Sequence, residues 1–350
     1  MQSSETTTVL IHLVASVSLG ILLLVIWGCI RFQPFRKFVC WALARWIDPG
    51  RFDEGTYAFD FFAALRAWLN SVREPIVWEL PTDVQVKCSD QRFSLGRQIG
   101  TSHCYNVYPT TDNLFFVKFA RDQTGIRTLS REHQVLQHLR SHAFDTPYIY
   151  YLPSIVQQTR ILDMPAWIYG RLGGQWNSAE RIASTFRGGL SGEHIAWMFN
   201  RILEVIGFAH DQGTAHSAIL PQHLVYETGS HSMQLVDWTH AKRIGRTLTF
   251  IPKRYRSWYP NEATVVASPQ TDIYMAAKVM VVLSGANPST NEIPHTIPAP
   301  VRQFLKACLL ESARMRPDSA WELHEEFRDI LQLVYGASTF HVFPSAEKPG

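Results

Sequence analysis

The sequence predicts an α+β domain of two lobes, strand-rich first and helical second, behind one apolar membrane-spanning helix. Three observations predict it: an uncharged apolar run near the N-terminus, short apolar or alternating runs from about residue 81 to 170, and helical periodicity from about residue 191 onward. Strands followed by helices is the pattern of an α+β architecture. Of the 350 residues 46% are apolar, enough for a sizeable core, so disorder is expected only at the ends.

The apolar run, Val9 to Ile30, contains no Asp, Glu, Lys or Arg, and His12 sits near one end. About 20 such residues cross the hydrocarbon core as a helix. A buried soluble helix would show a polar face, and this run has none. A cleaved signal peptide would start with basic residues and end at a small-x-small site. Met1 to Thr8 hold Glu5 and no basic side chain, and nothing after Leu24 resembles such a site. Arg31, Arg36, Lys37 and Arg45 follow the run, in the window where positive charge sets orientation. Residues 1–8 are therefore expected outside and the remainder in the cytoplasm.

Residues 31–80 read as juxtamembrane amphipathic helices. Phe35, Phe38, Val39, Ala42 and Trp46 recur at helical spacing among basic residues, which suits a helix lying in the membrane interface or one packed on a domain. Phe59, Phe61, Phe62, Leu65, Trp68 and Leu69 form a second stretch without evident chemistry. Glu74-Pro75 and Leu80-Pro81 punctuate the approach to the main domain.

Within residues 81–336 the runs Gln91–Ile99, Asn106–Tyr108, Leu114–Phe119 and Trp167–Tyr169 read as strands, interrupted by a helix over Ile126–Leu139. Apolar residues at helical spacing then mark Ile195–His210, Ile273–Leu283, Val301–Leu310 and Ala320–Leu333. The tail, 337–350, is expected to be loose. A net charge of +3 is too small to imply nucleic acid by itself, since a nucleic-acid binder usually shows a concentrated basic face. The five cysteines are scattered, with no C-x-x-C, which excludes a disulfide framework and a zinc knuckle and fits a reducing compartment.

A series of short motifs lies on this frame in a fixed order. They are Ile99-Gly100-Thr101-Ser102 through Val107, Phe116-Val117-Lys118-Phe119, Glu132 fourteen residues later, and Gly213 to Val225 around His216. Leu235-Val236-Asp237-Trp238-Thr239, Pro260 with Glu262, Asp272-Ile273-Tyr274 and Arg316-Pro317 complete them. Residues 91–335 resemble the protein kinase family on these motifs, each weak alone and strong in order. The resemblance implies a two-lobed kinase-like fold, with an N-lobe over 81–170 and a C-lobe over 171–336. It implies a nucleotide loop at Gly100, Ser102 and Val107, and ATP phosphates held by Lys118 with Glu132 orienting it. Asp237 would bind Mg2+, a hard cation that takes oxygen ligands. Glu262, Asp272 and Arg316 would be structural, the first and last as a buried pair and Asp272 as a brace for the loop at His216.

The departures from the family pattern decide the expected function. After His216 the family continues with Arg, an Asp base, then Leu-Lys-Pro-x-Asn; this chain has Ser217, Ala218, Ile219, Leu220, Pro221, Gln222 and His223. Ala218 occupies the base position without a group to move a proton, and losing a general base forfeits about 10²–10⁴ in rate. Leu220 removes a charge, and His223 replaces the second metal-holding Asn with an imidazole, which suits softer metals. Of three loop glycines only Gly100 remains, and Tyr105 has the bulk to fill nucleotide space. Trp238-Thr239 stands where the family has Phe-Gly.

The leading expectation is a membrane-anchored pseudokinase that retains the Lys118–Glu132–Asp237 set for ATP and Mg2+ and acts as a scaffold or regulator. Its partners would be the lipid bilayer and an unidentified cytoplasmic protein, with no nucleic acid. One rival is an active, divergent Ser/Thr kinase with Asp211 or His223 as substitute base. Another is a tethered interaction module that binds no nucleotide and uses Lys242, Arg243, Arg246, Lys253, Arg254 and Arg256 on anionic lipid or an acidic partner.

Overall fold

The computed structural model describes residues 84–89, 91–161, 164–171, 176–248, 251, 253–262, 264–337 and 339–344. The apolar run 9–30 and the stretch 31–80 lie outside the described residues. Among the described residues no helix is long and apolar enough to cross a membrane.

The first part contains, in chain order, β1 (Gln85–Cys88), β2 (Gln91–Ser94), β3 (Gly100–Thr101), β4 (Tyr105–Pro109), β5 (Phe115–Ala120), α1 (Gln123–Ala143), β6 (Ser154–Ile161) and β7 (Met164–Gly170). An antiparallel sheet of order β3-β4-β5-β7-β6 is its frame, with β1 and β2 as a separate hairpin. Successive strand residues point to opposite faces, and β5 divides its side chains accordingly. Phe115, Val117 and Phe119 join Val86, Cys88, Tyr108, Ala166 and Ile168 in a small outer cluster. Phe116 and Ala120 turn inward to the main core with Tyr105, Trp167 and Tyr169. Lys118 shares that inward phase. The strand expected over Gln91–Ile99 stops at Ser94 because the chain changes partner there. Ser94 pairs with Gln85, whereas Leu95 bridges to Thr110 and the Gly96 N–H donates to Pro109.

The helix α1 starts three residues before its apolar periodicity. Asp122 caps it, its carboxylate accepting from the Gly125 N–H at 2.8 Å, a device typically worth about 1 kcal/mol. Gly125 lets the first turn abut the bend that leads into β4, since a Cβ there would stand 2.1 Å from the Cys104 carbonyl oxygen. Gly125, Leu129, Glu132, Leu136, Leu139 and Ala143 form the buried stripe, spaced at three and four residues as one helix face requires.

The second part holds β8 (Trp176–Ser178), α2 (Ala179–Thr185), α3 (Gly192–Asp211), β9 (Thr214–Ala215), β10 (Leu224–Glu227), β11 (Ser232–Leu235), β12 (Lys242–Arg243), α4 (Pro269–Leu283), α5 (Ala299–Cys308) and α6 (Ala320–Tyr335). Helix α4 is buried nearly all round, mostly by apolar side chains but with Asp272 and Lys278 among them, as befits a central helix. Phe199 of α3 meets Phe304 of α5 and Phe327 of α6 edge-on. Two small sheets, β11-β10-β8 and β12-β9, sit among these helices. The strand-rich and helical parts follow the order that the sequence predicts. Beyond α6, in the tail expected to be loose, Phe343 meets Phe186 edge-on at 5.6 Å and Phe340 stacks on His231 at 4.1 Å. All described residues fall within one unit, Glu79–Gly350, which contains both hydrophobic clusters and so has a core of its own.

Candidate functional site

The site forms where the inner face of the five-stranded sheet meets α1 and the turn after β11. Strand register sets its first member: Lys118 lies opposite Val107 on one side and Trp167 on the other. From there its ammonium reaches Glu132 at 2.8 and 2.9 Å and Asp237 at 2.7 Å. The rings of Tyr105 and Tyr169 lie 5.2 and 5.3 Å from the same nitrogen, close enough for cation–π attraction.

Glu132 is fully buried and every one of its oxygens is satisfied. Besides Lys118 it accepts from the Trp238 N–H at 3.0 Å and from the Tyr169 hydroxyl at 2.7 Å. A glutamate flanked by Arg131 and His133 looks solvated on sequence grounds; the stripe of α1 turns it inward instead. Tyr169 carries no sequence signal beyond its alternation phase on β7.

Asp237 adopts left-handed backbone angles, φ 64° and ψ 60°, a conformation that Asp tolerates better than most residues. Its half-buried carboxylate receives four donors: Lys118, the Tyr105 hydroxyl at 2.8 and 2.9 Å, the Thr239 hydroxyl at 3.0 Å and His223 Nε2 at 3.1 Å. A carboxylate offers about four lone-pair sites, so this one is saturated. Burial pushes its pKa up, but Lys118 and then His223 outweigh it and hold the carboxyl well below its ordinary range. Burial likewise lowers the Lys118 pKa, and the carboxylates of Asp237 and Glu132 reverse the sign and raise it. Mg2+ takes oxygen ligands, so an ion at Asp237 would have to displace one of these donors. Among the described residues no group of three or more His, Cys, Asp or Glu side chains could hold a metal ion.

The predicted phosphate loop is closed on itself. Gly100 pairs with Val107, and a Cβ at Gly100 would make only ordinary contact with the Val107 side chain. The Ser102 N–H, which a phosphate cradle would leave free, donates to the Tyr105 carbonyl at 2.8 Å. Arg121 donates to the Ser102 carbonyl at 3.2 Å. Tyr105, buried on β4, turns its hydroxyl to Asp237.

The loop at His216 keeps its shape without a base. Asp272 accepts from the backbone N–H groups of His216 and Ser217, both at 2.8 Å, and meets His210 Nε2 at 3.0 Å. These bonds hold Ser217 at φ 62°, a strained backbone for a residue other than glycine. His216 Nδ1 accepts from the Ala218 N–H and its Nε2 donates to the Val236 carbonyl, the pattern of a neutral imidazole. Burial, against the pull of Asp272, brings its pKa down to about 4, and the ring meets Trp238 edge-on at 4.6 Å. His223 Nδ1 lies 2.7 Å from the Ala218 carbonyl oxygen, so His223 spans the loop and Asp237. Thr214 through Pro221 are buried without exception, Ala218 among them. Tyr259 roofs the loop, its hydroxyl donating to the Ser217 carbonyl at 2.8 Å.

Lys118, Glu132, Asp237, His216 and His223 therefore converge, with Tyr105, Tyr169, Thr239 and Trp238 completing the cluster. Glu262 and Arg316 lie apart from it and bond to each other. The Arg316 guanidinium also donates to the Leu310 and Glu311 carbonyls and lies over the Tyr274 ring.

No protein-family model matches the chain, and no curated protein matches it in sequence. Among solved structures, the crystal structure of the BubR1 kinase domain is similar with a TM-score of 0.57. The identity is 14%, covering 78% of this chain and 92% of that one. At that identity the likeness concerns the fold alone: the chain has a kinase-like fold.

Proposed function

We propose that this chain is a kinase-like scaffold that transfers no phosphate, tethered to a membrane by residues 9–30, with its nucleotide site closed by its own side chains. One observation carries the reading: the carboxylate where a kinase holds its metal is saturated by Lys118, Tyr105, Thr239 and His223. ATP with Mg2+ would have to displace both Tyr105 and His223 from that carboxylate, leaving a buried phenol and an imidazole to find other partners. The loop at Ala218 supports the same reading. A general base must lie within hydrogen-bond reach of the proton it takes, and here a methyl group lies in a stretch closed to solvent.

The chain's work is then to present surfaces at the cytoplasmic side of a bilayer to a protein partner. The intact Lys118–Glu132 and Glu262–Arg316 pairs serve that role by fixing the shape of the domain. The test is phosphoryl transfer from radiolabelled ATP by the purified chain, to itself and to generic protein substrates, with Mg2+ or Mn2+. No transfer is expected from the wild type, nor from Ala218→Asp, because Tyr105 and His223 remain in the way. Transfer that disappears in Asp237→Asn would overturn the proposal and make the chain a divergent kinase.

A further inference from the structure

Positive charge gathers on one exposed face that the closed site does not use. Helix α1 carries Arg127 and Arg131 four residues apart, both exposed and so on one side of the helix. Its lone carboxylate, Glu132, is buried. The segment 238–261 contains six Lys and Arg residues and no Asp or Glu.

The part of that segment nearest the domain body is firmly held. β12 pairs with β9, the Gly245 N–H donates to Ala267 and the Ala267 N–H returns to Arg246, both at 2.8 Å. The Arg246 N–H donates to Arg243 at 3.2 Å with Gly245 at φ 88°. Arg243 and Arg246 thus stand at the two ends of one tight turn, both exposed. Lys242 donates to the Thr247 carbonyl at 3.1 Å. Helix α1 packs against the turn Trp238–His240 that leads into β12, and burial, helped by the charge of Arg131, lowers the Lys242 pKa. No carboxylate of the described residues pairs with Arg131, Arg243 or Arg246. The nearest acid in α1's sequence, Asp122, is engaged in the helix cap.

We propose that Arg127, Arg131, Lys242, Arg243 and Arg246 form a docking face for an anionic bilayer surface. Like charges fixed on two rigid elements repel one another and are relieved together only by a continuous sheet of negative charge. They stand on two separate elements, α1 and the turn after β12, a spread of charge that one acidic side chain would not neutralise. Each basic residue brought near an anionic leaflet is worth about a fivefold gain in partitioning. The inference rests on the tethered-scaffold reading, since a domain anchored beside a leaflet meets it at high effective concentration.

The test is sedimentation of residues 79–350, the unit with its own core, with vesicles of phosphatidylcholine alone or mixed with phosphatidylserine. Binding is expected only to the mixed vesicles and should fall as salt rises, because exposed charges are screened. The triple variant R131Q/R243Q/R246Q should bind about 100-fold more weakly, three fivefold steps, with unchanged thermal unfolding. Equal binding to neutral vesicles, or undiminished binding of the triple variant, would overturn the proposal. So would capture of a soluble polyglutamate peptide in the absence of vesicle binding. Failure of the closed-site reading registers separately, as a shift in unfolding with nucleotide.

Discussion

Replacing Lys118 by Met keeps the volume of the side chain and removes its charge. Lys118 commits its donors to two carboxylates, Glu132 at 2.8 and 2.9 Å and Asp237 at 2.7 Å. Glu132 is then left fully buried with two neutral donors, Trp238 N–H and the Tyr169 hydroxyl. Breaking a buried pair by deleting one partner costs about 3–5 kcal/mol. The upper bound comes from Glu132 itself, which can escape by taking a proton. Holding a carboxyl of ordinary pKa protonated at neutral pH costs about 3.7 kcal/mol. The expected loss is therefore about 3–4 kcal/mol, or roughly a 10 °C fall in melting temperature for a domain of this size. Protonation is cheaper at low pH, so the deficit should shrink by about 1.4 kcal/mol for each unit below neutrality until the ordinary carboxyl pKa is reached. Urea unfolding followed by far-ultraviolet circular dichroism, at several pH values, measures both quantities. A loss under about 1 kcal/mol that does not vary with pH would refute the reasoning, because it would mean that Lys118 is solvated rather than shared between buried carboxylates.

Two further perturbations follow from neighbouring geometry. Gly125→Ala drives a Cβ to 2.1 Å from the Cys104 carbonyl; α1 must shift off the bend before β4, and a stability loss of about 2 kcal/mol or more is expected by the same denaturation assay. His216 is held neutral with its pKa depressed to about 4, whereas the unfolded chain takes up that proton near 6.5. Its contribution is therefore present above about 6.5 and is lost as pH falls toward 4, by about 3 kcal/mol in all. His216→Gln should remove that part of the acid slope.

The division into strands and helices was legible because periodicity follows burial, and burial here is regular. The α1 stripe and the nearly uniform α4 both follow from apolar spacing, and the alternation of β5 carries Lys118 to the inner face. The ends of elements were less legible. The start of α1 depends on the Asp122 cap and on the close approach of Gly125 to the bend before β4, and β2 ends where the chain changes strand partner. Neither is a property of a local window. The sequence also pointed to Tyr105 as a space-filling residue, but not to its hydroxyl on Asp237, since residues 132 positions apart in the chain meet only through the fold. Tyr169 and Tyr259 were silent for the same reason, and Thr239, marked only as a departure from the family pattern, gave no sign of its bond to Asp237. The absence of a base at position 218 was plain, whereas the burial of the whole loop around it depends on Tyr259 and on helices that arrive later in the chain.

The central claim is that the site around Asp237 is filled by its own residues, and thermal unfolding of the purified chain titrated with ATP and Mg2+ or Mn2+ tests it most directly. A ligand at a hundred times its dissociation constant adds about 2.7 kcal/mol of stability, so even weak binding shifts the transition at millimolar nucleotide. The account predicts no shift with either metal. A saturable, metal-dependent shift in the wild type, lost in Asp237→Asn, would contradict it.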